Sequence, residues 1–414
     1  MRYEVSDLKR VLNLESSVNA DRMMHDQPVW PALLSGIMAT LVGIGLARFA
    51  YTPLIPVLIQ SGWFTVGEAV YLGAANLLGY LIGALSAHRL TERFAPRMVL
   101  AFSLLTIVLS FLLCAWPADF YWFFVWRFCA GLAGAILMVV VPSMALSCTP
   151  LNQRTMVGTL MFSGIGIGAV LAAIVIPALL SWNLTITWFA LAALALVCGL
   201  ACDQGVRPMA LNSQVFRVNA IPTTNTKVVP IIVVLVISAY ALDAVGFVPH
   251  TVFWVDYLAR EKGFGQTAAS LQWALFGVGA VCGPLIANRM VARFGWGASL
   301  ALVFGLKACA ILMPVLSLAW ISQSLSSLLV GAFVPAITAL TSGRLAEIVG
   351  PARHKQAWGQ ATAAFAAAQA LSGYLMSAAY GVLGSYTPLY VIASALLALG
   401  ALLIVTSSRY RCGG

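Results

Sequence analysis

Charge is scarce in this chain. Only 9% of its 414 residues are Asp, Glu, Lys or Arg, against about a quarter in ordinary soluble domains, which excludes a soluble globular protein. Histidine is scarcer still: His25, His88, His250 and His354 are the only four, and they are widely separated. A membrane-embedded enzyme would need clustered His, Asp or Glu for metal or acid–base chemistry, so no enzyme, bound metal or cofactor is expected. The eight cysteines form no Cys-x-x-Cys pair and mostly fall in apolar runs. They read as small buried hydrophobes, not as a zinc or disulfide framework. Residues 1–29 hold no apolar core followed by a small-residue cleavage site. No cleavable signal peptide is expected, and the first apolar run must itself direct insertion.

Apolar residues dominate instead, at 61%. They fall into twelve runs, at about 30–60, 67–88, 97–116, 120–146, 155–180, 183–202, 228–257, 266–287, 296–316, 321–343, 357–382 and 387–407. Each is near or above the roughly 20 residues that a helix needs to cross a bilayer. The expected fold class is an all-α membrane protein of 12 transmembrane helices. An even number of crossings puts both ends on one side. If that side is the cytoplasm, eighteen of the 23 Lys and Arg are cytoplasmic and only Arg260 and Lys262 face outward, a strong positive-inside bias. The net charge of +10 is then a topology signal and not a nucleic-acid signal. The expected location is a bacterial inner membrane, with both termini cytoplasmic and lipids as neighbours.

The chain repeats itself. GYLIGALSAHRLTERF from Gly79 and GAVCGPLIANRMVARF from Gly279 share seven of sixteen positions at an offset of 200, among them Arg89/Arg289 and Arg93/Arg293. Pro150, Arg154 and Gly158 are echoed by Pro351, Lys355 and Gly359 at an offset of 201. Two echoes in the same order predict two homologous six-helix bundles. Their expected bounds are 30–202 and 228–408. An N-terminal segment 1–29, a polar central loop 203–227 and a tail 409–414 complete the chain.

Parallel six-helix halves are the plan of a major facilitator transporter. The Gly and basic cluster after helices 2 and 8 resembles that superfamily's signature, and WRFCAGLAGA (Trp126 to Ala135) resembles its helix-4 pattern. Two positions depart from it: Ala87 stands where an acid is usual, and Ala95-Pro96 where a loop glycine is usual. GIGLARFAYTPLIP in helix 1, SGIGIGAV in helix 5 and AWGQATAAFAAAQA in helix 11 are similar to the bacterial YbfB/YjiJ-like branch. The resemblance implies two pseudo-symmetric bundles, with helices 1, 4, 7 and 10 around a central cavity and helices 3, 6, 9 and 12 outside. It also implies alternating access and secondary transport of a small solute.

On that placement Arg48, Arg127 and Asp243 surround one cavity. Intramembrane charges face a cavity or a partner. Arg48 reads either as a forked anchor for an anion or as half of an ion pair with Asp243. Arg127 reads as a binding or coupling group or as a tie to backbone carbonyls. Asp243 is the one carboxylate read as deep in a span. Burial and a nearby cation pull its proton affinity in opposite senses, which suits proton coupling. Lys307 lies on an outer helix and is expected to snorkel or to tie locally. His250, Trp254 and Tyr257 continue the stripe of Asp243. Tyr51, His250, Trp254 and Gln369 complete the expected substrate site with Arg48 and Arg127; Asn76 and Gln360 are further polar candidates. Arg89, Arg93, Arg289 and Arg293 are expected to gate the cytoplasmic side. The expected partners are a small anionic substrate and protons, and the expected state is a monomer. A proton-coupled drug or metabolite exporter is the alternative, disfavoured because no Gly-Pro pair follows Gly164, Gly166 and Gly168 in helix 5.

Overall fold

The computed structural model describes residues 29–150, 153–180, 182–212 and 231–409. Among them every regular element is a helix. Residues 1–28, most of the expected central loop and the tail from 410 lie outside the described residues. In chain order the helices are α1 (Trp30–Gln60), α2 (Val66–Arg93), α3 (Pro96–Leu113), α4 (Phe120–Ser147), α5 (Met156–Leu180), α6 (Leu184–Met209) and α7 (Ile231–Glu261). The 51-residue helix Gln266–Leu316 is broken at Gly295, where φ is +75°. It supplies α8 (266–294) and α9 (296–316). Then come α10 (Trp320–Val349), the less apolar α11 (Pro351–Leu383) and α12 (Thr387–Arg409). Among the described residues ten helical stretches, with Gln266–Leu316 taken as one, are long and apolar enough to cross a membrane.

Local chemistry sets the boundaries. Thr65 and Glu68 cap the start of α2 reciprocally, which satisfies two otherwise unpaired backbone N–H groups. The breaks after α2 and α8 are 200 residues apart but use different means. Pro96 sits at the first position of α3, where its fixed φ favours a helix start. Gly295 instead takes a left-handed φ that only glycine adopts cheaply. The stretch from residue 203, read from sequence as loop, remains helical to Asn212. Asp203 explains this: it accepts two hydrogen bonds from Arg97, at 2.9 and 3.1 Å, and one from Arg207, at 2.8 Å. This clamp ties α3 to α6.

The sequence repeat is also a packing repeat. A Cβ on Gly79 would lie 2.0 Å from the Phe128 carbonyl oxygen, and one on Gly279 would lie 2.1 Å from that of Leu328. Gly83 meets the Leu132 oxygen at 2.2 Å as Gly283 meets that of Ala332 at 2.0 Å. Both members of each contact move by 200 residues. Backbone therefore touches backbone between α2 and α4 just as between α8 and α10, which only glycine permits.

Helix α5 lies between α1 and α8. A Cβ on Gly164 would meet the Ile37 oxygen of α1 at 2.1 Å and one on Gly168 would meet Gly45 Cα at 2.6 Å, whereas one on Gly166 would meet the Gly277 oxygen of α8 at 2.4 Å. Residues four apart share a helix face and the residue between them points away, so the GIGIG run serves two neighbours. Further contacts join the first six helices to the last six. Thr52 Oγ1 donates to the Thr251 carbonyl, Gln266 Nε2 donates to that of Pro53 at 2.8 Å, and Gly73 abuts Val252. These contacts lie from mid-depth toward the end that carries Gln60 and Gln266. Arg89, Arg93, Arg289 and Arg293 are exposed at the opposite end.

Candidate functional site

Arg48 owes its position to a defect in α1. Residues Leu41–Leu46 form a π-helical turn, and the regular helix resumes only at Tyr51. Such turns rotate the following residues relative to the helix before them, and they recur at functional sites. Arg48 is 8% exposed. Its Nη1 donates to Gln369 Oε1 of α11 at 2.9 Å, so the bond joins the two sets of six helices. Arg48 Nε and Nη2 and Gln369 Nε2 are buried and have no hydrogen-bond partner among the described residues. All three are donors. The guanidinium also lies 5.7 Å from the ring centres of Phe49 and Phe247.

Asp243 does not pair with Arg48, the pairing that the sequence leaves open. Its partner is Lys307 of α9, with Nζ to Oδ1 at 2.6 Å and both side chains shut off from solvent. Of the two readings of Lys307, snorkelling or a local tie, snorkelling is corrected: the side chain points inward and ties α9 to Asp243. Phe247, one turn after Asp243, separates the two polar groups. Its ring lies 5.7 Å from the Arg48 guanidinium and 4.9 Å from Lys307 Nζ. Two cations thus share one aromatic ring, each attracted to its electron-rich face.

The other expected binding residues are held by internal contacts. Arg127 Nη1 donates to the Ala47 carbonyl at 2.8 Å, and its guanidinium stacks 4.3 Å from the Tyr51 ring. The Tyr51 hydroxyl donates to the Ala69 carbonyl at 2.9 Å. Asn76 bonds the carbonyls of Ala47 and Arg127. These groups brace the irregular stretch that presents Arg48 and do not meet Gln369. His250 and Trp254 are stacked and bonded to Ser326 and Ser327 of α10, each at 3.0 Å, a packing arrangement inside the last six helices. Gln360 is exposed. Among the described residues none of Arg89, Arg93, Arg289 and Arg293 forms an ion pair, so no charge clamp brings them together.

Sequence reasoning missed two features. Asp256 is fully buried near the Glu261 end of α7, held by Arg260 and by the Tyr386 hydroxyl. The spacing of four between Asp256 and Arg260 was its available signal. Below Gln369, Phe365 stacks on Tyr240 at 4.5 Å and on Phe247 at 5.7 Å, and Trp358 lies 5.7 Å from Tyr240. Trp358, Phe365 and Gln369 recur at helical spacing, but the sequence did not show which partners they meet.

Residues 40–405 match the family model described as "Uncharacterised MFS-type transporter YbfB". The chain belongs to the YbfB family of major facilitator transporters. The YbfB-family assignment covers nearly all of the helical region. The chain is 31% identical over 141 residues to the gentisate transporter of Corynebacterium glutamicum, a match over 33% of this chain and 32% of that one. It is 23% identical over 270 residues to the MFS-type transporter YceJ of Bacillus subtilis, covering 61% of this chain and 65% of that protein. The matches thus span about a third and just under two thirds of these relatives. A crystal structure of a D-xylose-proton symporter superposes with a TM-score of 0.69 at 17% identity, over 91% of this chain and 97% of that one. This likeness establishes the major facilitator fold.

Proposed function

We propose that this YbfB-family protein is a secondary transporter of a small organic anion, driven by protons through Asp243 and Lys307. The observation that carries the anion is the donor-only cluster of Arg48 Nε, Arg48 Nη2 and Gln369 Nε2. Unsatisfied buried donors are costly, and a bound carboxylate would accept from all three. A guanidinium fork suits a carboxylate better than any neutral solute. Because Arg48 and Gln369 come from opposite sets of helices, an anion between them would hold both sets, as a substrate must in alternating access. The partial relative named as a gentisate transporter, whose named substrate is an organic anion, supports the same class.

The buried pair supplies a route for coupling. Protonation of Asp243 would leave Lys307 without its counter-charge, beside a ring it shares with Arg48. The cation–π balance at Phe247 would then change with the charge state of the pair. A proton on Asp243 is thereby sensed at the anion site without direct contact.

Arg48 variants test the reading. A thermal-shift screen of the purified protein against organic acids first finds a ligand. Arg48→Lys keeps the charge but loses the fork and should weaken that ligand about tenfold, with Arg48→Ala weaker still. Unchanged affinity in folded Arg48→Ala protein would make Arg48 structural and remove the case for an anion.

A further inference from the structure

The aromatic residues beneath Gln369 have no assigned role. Gln369 and Phe365 are one turn apart on α11, a rise of about 6 Å. Phe365 is half-buried and lies nearly parallel to Tyr240 and Phe247, at interplanar angles of 30° and 25°. Trp358 extends the stripe two turns further, also half-buried. On α2, Tyr80 follows Gly73 and Leu77, which meet Val252 of α7 and Gly373 of α11, so it continues the face of α2 turned to the last six helices.

The geometry points to a ring-binding subsite at half-buried Phe365, backed by Tyr240 and beside the Arg48–Gln369 donors, so that the anion is an aromatic carboxylate. This rests on the anion reading above and adds the ring. The two halves of such a ligand match two neighbouring environments. Its carboxylate oxygens would accept from Arg48 and Gln369, and its ring would pack on the accessible part of Phe365, one turn away. A carboxylate joined to the ring directly, or through one or two carbons, covers the separation. An aliphatic anion would satisfy the donors and make no ring contact with Phe365. A neutral aromatic would stack but leave the donors unmet.

A ligand panel on the unaltered protein in detergent decides between these cases. Benzoate, cyclohexanecarboxylate, acetate and benzamide would be compared by thermal shift and equilibrium binding. Benzoate should bind about three- to tenfold more tightly than cyclohexanecarboxylate, the range of an aromatic pair beyond its buried area. Benzamide should show no saturable binding. Phe365→Leu, which keeps apolar bulk, should bring benzoate down to the level of cyclohexanecarboxylate. Equal binding of the two acids would overturn the ring subsite and leave the anion reading standing. Benzamide binding as tightly as benzoate would overturn the carboxylate requirement. Binding of none of the acids would remove the anion reading and this inference together. Should Phe365→Leu fail to fold, the panel on the unaltered protein still separates these outcomes.

Discussion

Asp243 and Lys307 face each other at 2.6 Å with no access to water. Removing one charge from such a pair strands the other, and typically costs about 3–5 kcal/mol. Asp243→Asn should therefore lower the unfolding temperature in detergent clearly, by more than a loss of transport alone would explain. Asp243→Asn combined with Lys307→Gln replaces the pair by two neutral amides and should recover most of that stability. The double variant still has no titratable group there. In liposomes it should exchange substrate but fail to accumulate it against a gradient when a pH difference is imposed. Full pH-driven accumulation by the double variant would take proton coupling away from this pair.

Glycine contacts fix how the helices of each repeat meet. A Cβ on Gly79 or Gly279 would lie only 2.0 or 2.1 Å from a carbonyl oxygen, so an added methyl must push α2 from α4, or α8 from α10. Gly79→Ala and Gly279→Ala should each destabilise the protein, by about 1–3 kcal/mol as overpacking does, and to similar extents. Gly305 has open space around its Cβ position and lies within α9. Gly305→Ala should be neutral or stabilising by up to about 1 kcal/mol. The check is denaturant or thermal unfolding of the three variants side by side. A tolerated Gly79→Ala with a disruptive Gly279→Ala would mean that the two repeats do not pack alike.

The whole molecule is joined across its two sets of helices toward the Gln60 and Gln266 end. Alternating access requires those contacts to part in each cycle. Gly73 and Val252 offer a lock, since a Cβ on Gly73 would lie 2.8 Å from Val252 Cγ1. In a background without the native cysteines, Gly73→Cys with Val252→Cys should form a disulfide under mild oxidation. Transport should stop and should return on reduction. Full transport by the oxidised protein would show that this contact stays closed throughout the cycle. Arg89→Cys and Arg289→Cys supply a separate check of topology. Membrane-impermeant thiol reagents should reach both from the same side of the membrane, and labelling from opposite sides would break the parallel repeat.

The helical class, the repeat and the twelve apolar runs were legible because each is written in nearest-neighbour chemistry: apolar length, periodic glycine and basic loops. Gly79 and Gly279 announce their equivalence by spacing alone. Arg48 and Asp243 were legible as costly intramembrane charges, and Gln369 as a polar group on α11. Their partners were not. Which face a side chain presents depends on helix rotation, and the π turn at Leu41–Leu46 changes that rotation without any proline or charge to mark it. The sequence put Asp243 near the level of Arg48; the tertiary structure turned it toward Lys307 and set Phe247 between them. The same packing gave Arg127 a carbonyl and a tyrosine ring and left Arg48 with two free donors. Composition determines that this chain crosses membranes and carries buried charge; only the packing of α1, α7, α9 and α11 decides which charge is neutralised and which keeps unpartnered donors.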